Sequence, residues 1–244
     1  MQIITLAIQK GGTAKTSSAA ALAQAAAYRG DKVLAIDLDP QGNLSFCLAA
    51  DTTRAGSLEL LEGTPARKIT QATAAGIDVI PASMNLATIQ SGTGSAKRLQ
   101  KALEPIRGKY DLIIVDTPSK AGELQYNALQ AATGLIVPLQ AETFSLQGLY
   151  QIIDTAEQFK PSNPALTYKG IIFTRHNPRN SISRQLQEVI TARAAEMDIP
   201  TLGAIREAVA VREAQALQES LYKYAPKSKP AQDYLAIYDK IMEA

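Results

Sequence analysis

Short runs of aliphatic and β-branched residues alternate along the chain with longer segments in which apolar positions return every three or four residues. The first pattern predicts strands over residues 3–8, 32–37, 77–80, 111–116, 135–139 and 168–174, with a weaker one over 201–205. The second predicts helices over 15–29, 95–106, 124–133, 145–159, 181–197 and 232–242. Leu112-Ile113-Ile114-Val115 is apolar throughout rather than alternating, as a strand covered on both faces must be. Strand and helix in regular succession define a doubly wound α/β fold, a mostly parallel sheet flanked by helices. The Ala-rich stretch 19–27 suits a thin helix lying close against such a sheet. No repeat and no Gly/Ser linker divides residues 1–244, which read as one domain; 161–164 and 226–230 read as loops within it. Ligands of these sheets bind beyond the carboxyl ends of the strands, so the residues that follow each strand carry the chemistry.

Composition narrows the function classes. With 46% hydrophobic and 20% charged residues, the chain has the material for a packed core, which excludes disorder as its main state. No apolar run is long enough to span a bilayer and the start, MQIITLAIQK, lacks a signal peptide's basic region, so a cytoplasmic protein without membrane attachment is expected. One cysteine, Cys47, and one histidine, His176, cannot build a structural zinc site or a disulfide framework. Cys47 reads as a small buried side chain and His176, in the polar stretch RHNPRN, as a solvated loop residue. The net charge is only +2, but residues 167–229 hold ten basic against six acidic residues. That excess fits either a basic surface or scattered solvated charge.

Directly after the first strand stand Gln9-Lys10-Gly11-Gly12-Thr13-Ala14-Lys15-Thr16-Ser17, and the Ala-rich helix follows. Paired glycines let consecutive N–H groups curl around an anion, a helix N-terminus adds its positive end, Lys15 supplies a point charge and Thr16 a hydroxyl for Mg²⁺. The general pattern G-x-x-x-x-G-K-[ST] is not met, because Gln9 and Ala14 occupy its glycine positions. Alone, the segment could be a structural turn. The second strand ends in Asp37-Leu38-Asp39-Pro40-Gln41-Gly42-Asn43 and the central one in Asp116-Thr117-Pro118. Three aspartates after parallel strands, beside a phosphate loop, suit Mg²⁺ binding and the positioning of a water. Singly, each could equally cap a helix.

These segments resemble the ParA/MinD ATPases with a deviant phosphate loop. Lys10 to Ser17 is similar to that family's K-G-G-x-G-K-T-T, and Asp37 to Asn43 matches its D-x-D-P-Q-G-N. Asp111 to Pro118, Pro138-Leu139-Gln140, Ser145-Leu146-Gln147-Gly148-Leu149 and Ser228 to Tyr234 are similar to later family segments in the same order. Within the family the chain most resembles the short ParA/Soj partition ATPases.

The resemblance implies an ATP-sandwich homodimer with ATP and Mg²⁺ as cofactors. Lys10 would reach the partner's phosphates while Lys15 and Thr16 serve the chain's own nucleotide. Gly11, Gly12, Thr13, Ala14 and Ser17 would line the phosphates, Asp37 and Asp116 would join Thr16 in the Mg²⁺ shell, and Asp39 would position the attacking water. Adenine recognition would fall near Thr174, Arg175 and Pro226. The family departs here at Ala14, usually Gly, and Ser17, usually Thr.

The output implied is non-specific double-stranded DNA binding on the nucleoid, with hydrolysis stimulated by a ParB-like partner. Arg206 and Arg212 are the leading DNA contacts, with Arg175, Arg184, Lys227 and Lys229 beside them. Glu207 stands where the family's I-x-R-x-x-x-x-x-E-A stretch has arginine, and Arg206 comes one residue earlier. The opposing expectation is that Arg206 and Arg212 pair with nearby carboxylates. Other family outputs remain: positioning a conjugation, secretion or cellulose-synthesis assembly, or a MinD-like action at a membrane surface. The tail 231–244 opposes the membrane output, since it holds Lys240 against Asp233, Asp239 and Glu243. Electron transfer of the nitrogenase-iron-protein type needs two cysteines per subunit and meets only Cys47.

Overall fold

The computed structural model describes residues 1–243; residue 244, the last of the acidic tail, lies outside the described residues. Eight strands form one sheet: β1 (Gln2–Leu6), β2 (Val33–Asp37), β3 (Gln71–Ala72), β4 (Ile77–Ile80), β5 (Leu112–Asp116), β6 (Gly134–Leu139), β7 (Thr167–His176) and β8 (Thr201–Arg206). Their order is β3-β4-β2-β5-β1-β6-β7-β8, and every neighbouring pair is parallel except β3 with β4. β1 therefore lies in the middle, and the chain winds outward from it in both directions.

The central strands show why both faces are covered. Leu112 and Ile114 of β5 point into one apolar layer and Ile113 and Val115 into the other. On the first face lie α1 (Lys15–Arg29), α2 (Asn43–Cys47), α9 (Val209–Ala216), α10 (Leu221–Tyr224) and α11 (Lys229–Glu243). The second face carries α3 (Ser57–Leu61), α4 (Ala66–Ile69), α5 (Arg98–Leu103) and α6 (Glu123–Ala131) near β2 and β5. α7 (Ser145–Glu157) and α8 (Ser181–Ala195) cover the β6–β7 end. Ala19, Ala23, Ala25 and Ala26 are fully buried, so α1 fits between the sheet and α11 where larger side chains would hold them apart.

Several boundaries differ from the expectation. β1 stops at Leu6, although Ala7 N–H still donates to Ile136 at 3.2 Å, because the chain must peel away into the phosphate loop. The helix expected over 95–106 is α5 between two single 3₁₀ turns, the second built around Pro105, which cannot donate an N–H to an α-helical ladder. His176 is the last residue of β7 rather than a loop residue, and its carbonyl accepts the Glu207 N–H at 3.2 Å. Cys47 is buried, as expected. No described helix is long and apolar enough to cross a membrane.

Candidate functional site

The β1–α1 connection builds the phosphate loop. Gly12 takes φ +76° and Ala14 φ +59°, ψ +29°, both left-handed, which turns the loop tightly into the N-terminus of α1. A methyl group is strained in that conformation and a glycine is not. Lys15, only 5% exposed, begins the helix, and its Nζ lies 2.8 Å from Asp116 Oδ1. Thr16 Oγ1 donates to the other oxygen, Oδ2, at 2.6 Å. The cation, the hydroxyl and the carboxylate named from the sequence thus meet at one point, at the carboxyl end of β5.

Asp37, fully buried at the end of β2, accepts Ser45 N–H at 2.8 Å, Ser45 Oγ–H at 2.7 Å and Asp39 N–H at 3.0 Å. Burial, reinforced by the neighbouring charge of Asp116, lifts its carboxyl well above the usual range. Gly42, at φ +66°, makes the left-handed turn that starts α2 and returns Ser45 to Asp37. Asp39 is half-buried on the rim, where its Oδ1 accepts the Gln41 N–H at 3.1 Å.

The donor set fits Mg²⁺. Two buried aspartates side by side call for positive charge, which Lys15 supplies here and a divalent ion can supplement. Among the described residues no three His, Cys, Asp or Glu side chains form a closed cage. Mg²⁺ does not need one, since it keeps waters and takes oxygens from phosphates. Within the loop the buried Thr13 Oγ1 has no hydrogen-bond partner, an unsatisfied polar atom in the segment that would wrap the phosphates.

Lys10 does not join this cluster. Its Nζ turns to Glu142 Oε2 at 2.8 Å and lies 3.5 Å from Ser145 Oγ. Both residues, with Gln140, whose Nε2 donates to Gly12 O at 2.7 Å, follow β6. These supports were not assigned from the sequence, although Gln140 sits directly after a parallel strand, the position that marked Asp116.

A small cavity opens beside Ala14 and Ser17, walled by Thr174, Arg175, Ile205, Glu207, Val211 and Tyr234. Thr174 is buried and its Oγ1 donates to Thr13 O at 2.9 Å, while Arg175 adopts φ +50°. The fold brings these two to the phosphate loop. Pro226, the third residue named for adenine, is exposed in the turn before α11, and Tyr234 of α11 walls the cavity, bonded through its hydroxyl to Ser18 at 3.0 Å.

The basic residues divide into two groups. Arg206, expected on a DNA face, is gripped by Asp233, with NH2 to Oδ1 at 2.6 Å, Nε to Oδ2 at 2.9 Å, and its own N–H bound to the same carboxylate. This two-pronged pair occupies the Nε/Nη2 edge of the guanidinium and sets a carboxylate against its charge, so Arg206 has less to offer a phosphate than an unpaired arginine. Arg193 and Lys223 are likewise paired, with Glu196 and Glu219. Arg212, Arg175, Arg184, Lys227 and Lys229 are exposed and form no ion pair among the described residues.

The arrangement is that of a P-loop nucleotide-binding protein. Residues 1–168 match the family described as the AAA domain. The chain is 34% identical to the chromosome partitioning protein ParA of Caulobacter vibrioides, over 99% of this chain and 94% of that one. It is also 34% identical to the chromosome-partitioning ATPase Soj of Thermus thermophilus, over 98% and 94%. A crystal structure of cobyrinic acid a,c-diamide synthase from Mycobacterium smegmatis, with bound ATP analog and magnesium, superposes with a TM-score of 0.83 at 30% identity, covering 98% of this chain and 93% of that one. The chain belongs to the ParA/Soj family of P-loop ATPases.

Proposed function

We propose that the protein is an ATP-hydrolysing partition switch, dimeric with ATP and Mg²⁺, that holds non-specific DNA until a ParB-like partner stimulates hydrolysis. The observation that carries this is the convergence of Lys15 Nζ and Thr16 Oγ1 on Asp116 at the mouth of a left-handed loop that opens a 15-residue helix. Mg²⁺, when bound, supplies positive charge to the phosphoryl oxygens, held by Thr16, Asp116 and Asp37. Lys15 offers its ammonium to the same oxygens as it leaves Asp116. Asp39 stands on the rim with one oxygen held by the Gln41 N–H and the other left to orient a water and take its proton. Phosphoryl transfer is helped chiefly by such placed charges, so a second subunit's Lys10 adds catalytic charge only after assembly.

DNA contact is assigned to Arg212, Arg175, Arg184, Lys227 and Lys229, whose charge is uncommitted; phosphate contacts alone give sequence-independent binding. Arg206 is assigned to holding β8 against α11. The membrane output is disfavoured because Ala231, Tyr234, Ile237, Tyr238 and Ile241 of α11 are already buried within the fold. The test uses Asp39→Ala protein with double-stranded DNA at low and moderate salt. Binding with ATP and Mg²⁺ but not ADP, weakened by salt, is expected. A confirmed ATP dimer that binds no DNA in any condition would transfer the switch to a protein assembly.

A further inference from the structure

The general phosphate-loop pattern opens on glycine, and here that place is held by Gln9, whose side chain reaches inward to two helices. Its Nε2 lies 2.8 Å from Thr155 Oγ1 of α7 and 3.3 Å from Gln125 Oε1 of α6. The direction of these bonds is fixed by a third. Thr155 gives its one hydroxyl proton to the carbonyl of Gln151, at 2.8 Å, so its oxygen can only accept. The Gln9 atom beside it is therefore the amide NH₂, and the Gln125 atom that meets this NH₂ is the carbonyl oxygen. That leaves Gln125 Nε2 in the interior without an acceptor.

Gln125 is fully buried and Thr155 nearly so. A buried amide whose N–H groups are unpartnered costs stability, and its bond to Gln9 is near the long limit. A methionine of similar volume would pack there without that cost. Gln125 is thus a poor stabiliser of α6, and what its carbonyl contributes is a seat for the phosphate loop. The seat is well placed. Ala7 N–H makes β1's bond to Ile136, and the loop is next held by Gln140, on Gly12 O. Between them Gln9 ties the chain to the interior, one residue before Lys10. α6 and α7 together set where the loop begins.

We propose that Gln125 is a positioning residue for nucleotide binding: with Thr155 it fixes the Gln9 amide, and so holds the phosphate loop in its receiving shape before phosphates arrive. The role presupposes the ATP-binding reading above and adds the support behind its loop. Preorganisation of this kind lowers the entropy lost on binding, so it acts on affinity more than on the chemical step.

The experiment compares Gln125→Met, Gln9→Met and the double variant with the unaltered protein. It measures binding of a non-hydrolysable ATP analogue with Mg²⁺ by calorimetry, turnover at saturating ATP, and the thermal midpoint. Gln125→Met is expected to raise the analogue's dissociation constant by roughly three- to tenfold, to leave saturated turnover within about twofold, and to melt no lower than the unaltered protein. The double variant is expected to bind no more weakly than Gln9→Met alone, because Gln125 acts through that side chain. A purely structural amide would do the reverse, lowering the midpoint and sparing affinity. Unchanged affinity in Gln125→Met, or losses that multiply in the double variant, overturns the positioning role alone. If Gln125→Met does not fold, Gln125→Asn, which withdraws the amide by one methylene, is judged by the same two criteria. Absence of analogue binding by the unaltered protein overturns the nucleotide reading, and this role with it.

Discussion

The ammonium of Lys15 lies 2.8 Å from the carboxylate of Asp116, and both side chains are closed off from solvent. The residue best placed to meet a nucleotide is thus also what neutralises a buried acid in its absence. Removing one partner of such a pair commonly destabilises a protein by about 3–5 kcal/mol, because the other charge is left buried. Lys15→Ala is expected to weaken ATP binding by roughly a hundredfold or more and to lower the urea midpoint. Adding Asp116→Asn should recover the midpoint but not the binding. A double-mutant cycle with calorimetry and urea titration separates the two effects, and a Lys15→Ala protein of unchanged midpoint contradicts the pair's structural role.

Ala14 is held in the left-handed region, where a side chain is strained by roughly 1–2 kcal/mol. Glycine removes that strain but enlarges the freedom of the unfolded chain, an effect worth about 0.4–1 kcal/mol. Ala14→Gly is expected to stabilise by roughly 0.5–1 kcal/mol and to raise the thermal midpoint by about 1–4 °C. Scanning calorimetry decides the sign.

Burial pushes the Cys47 thiol up to about 12, with the charges of Asp116 and Asp37 adding to the effect. Native protein should therefore react with a disulfide reagent at pH 8 roughly a hundredfold more slowly than protein in denaturant. The linkage runs in one direction: the folded thiol titrates above its ordinary value of 9.0, so its stabilising contribution is full below pH 9.0 and is lost as the pH rises toward 12. Urea midpoints across that window, compared with Cys47→Ala, measure it.

Arg206 and Arg212 should behave differently despite their closeness in sequence. Arg212→Ala, measured in the ATP-saturated Asp39→Ala protein, is expected to reduce the slope of log affinity for DNA against log salt by about one. Arg206→Ala should leave that slope alone and lower the thermal midpoint, because Asp233 loses its partner. A changed slope for Arg206→Ala would place it among the DNA contacts after all.

The sheet was legible because its central strands are apolar on both faces, and the phosphate site because its residues cluster at the carboxyl ends of β2 and β5 and in the loop that joins β1 to α1. α2, α3, α4, α10 and β3 were not read, being too short for a periodic pattern to develop. α9 lay in a segment read only for its arginines. The Glu142 support for Lys10 is a contact 132 positions apart in sequence, and no local pattern encodes it. Arg206 shows the same limit from the other side: count and spacing mark it as a cation, but only the approach of α11 shows that its charge is occupied.

α11 binds the oldest part of the chain to the newest. Tyr234 meets Ser18 across 216 residues, Asp239 holds Arg29, and Tyr238 bonds Asp31, while Asp233 and Lys240 fasten β8. The last fifteen described residues thus close over the first helix, so a chain that ends before residue 229 would leave the alanine-rich α1 partly uncovered and β8 unfastened, and is expected to lose the cooperative unfolding of the full chain.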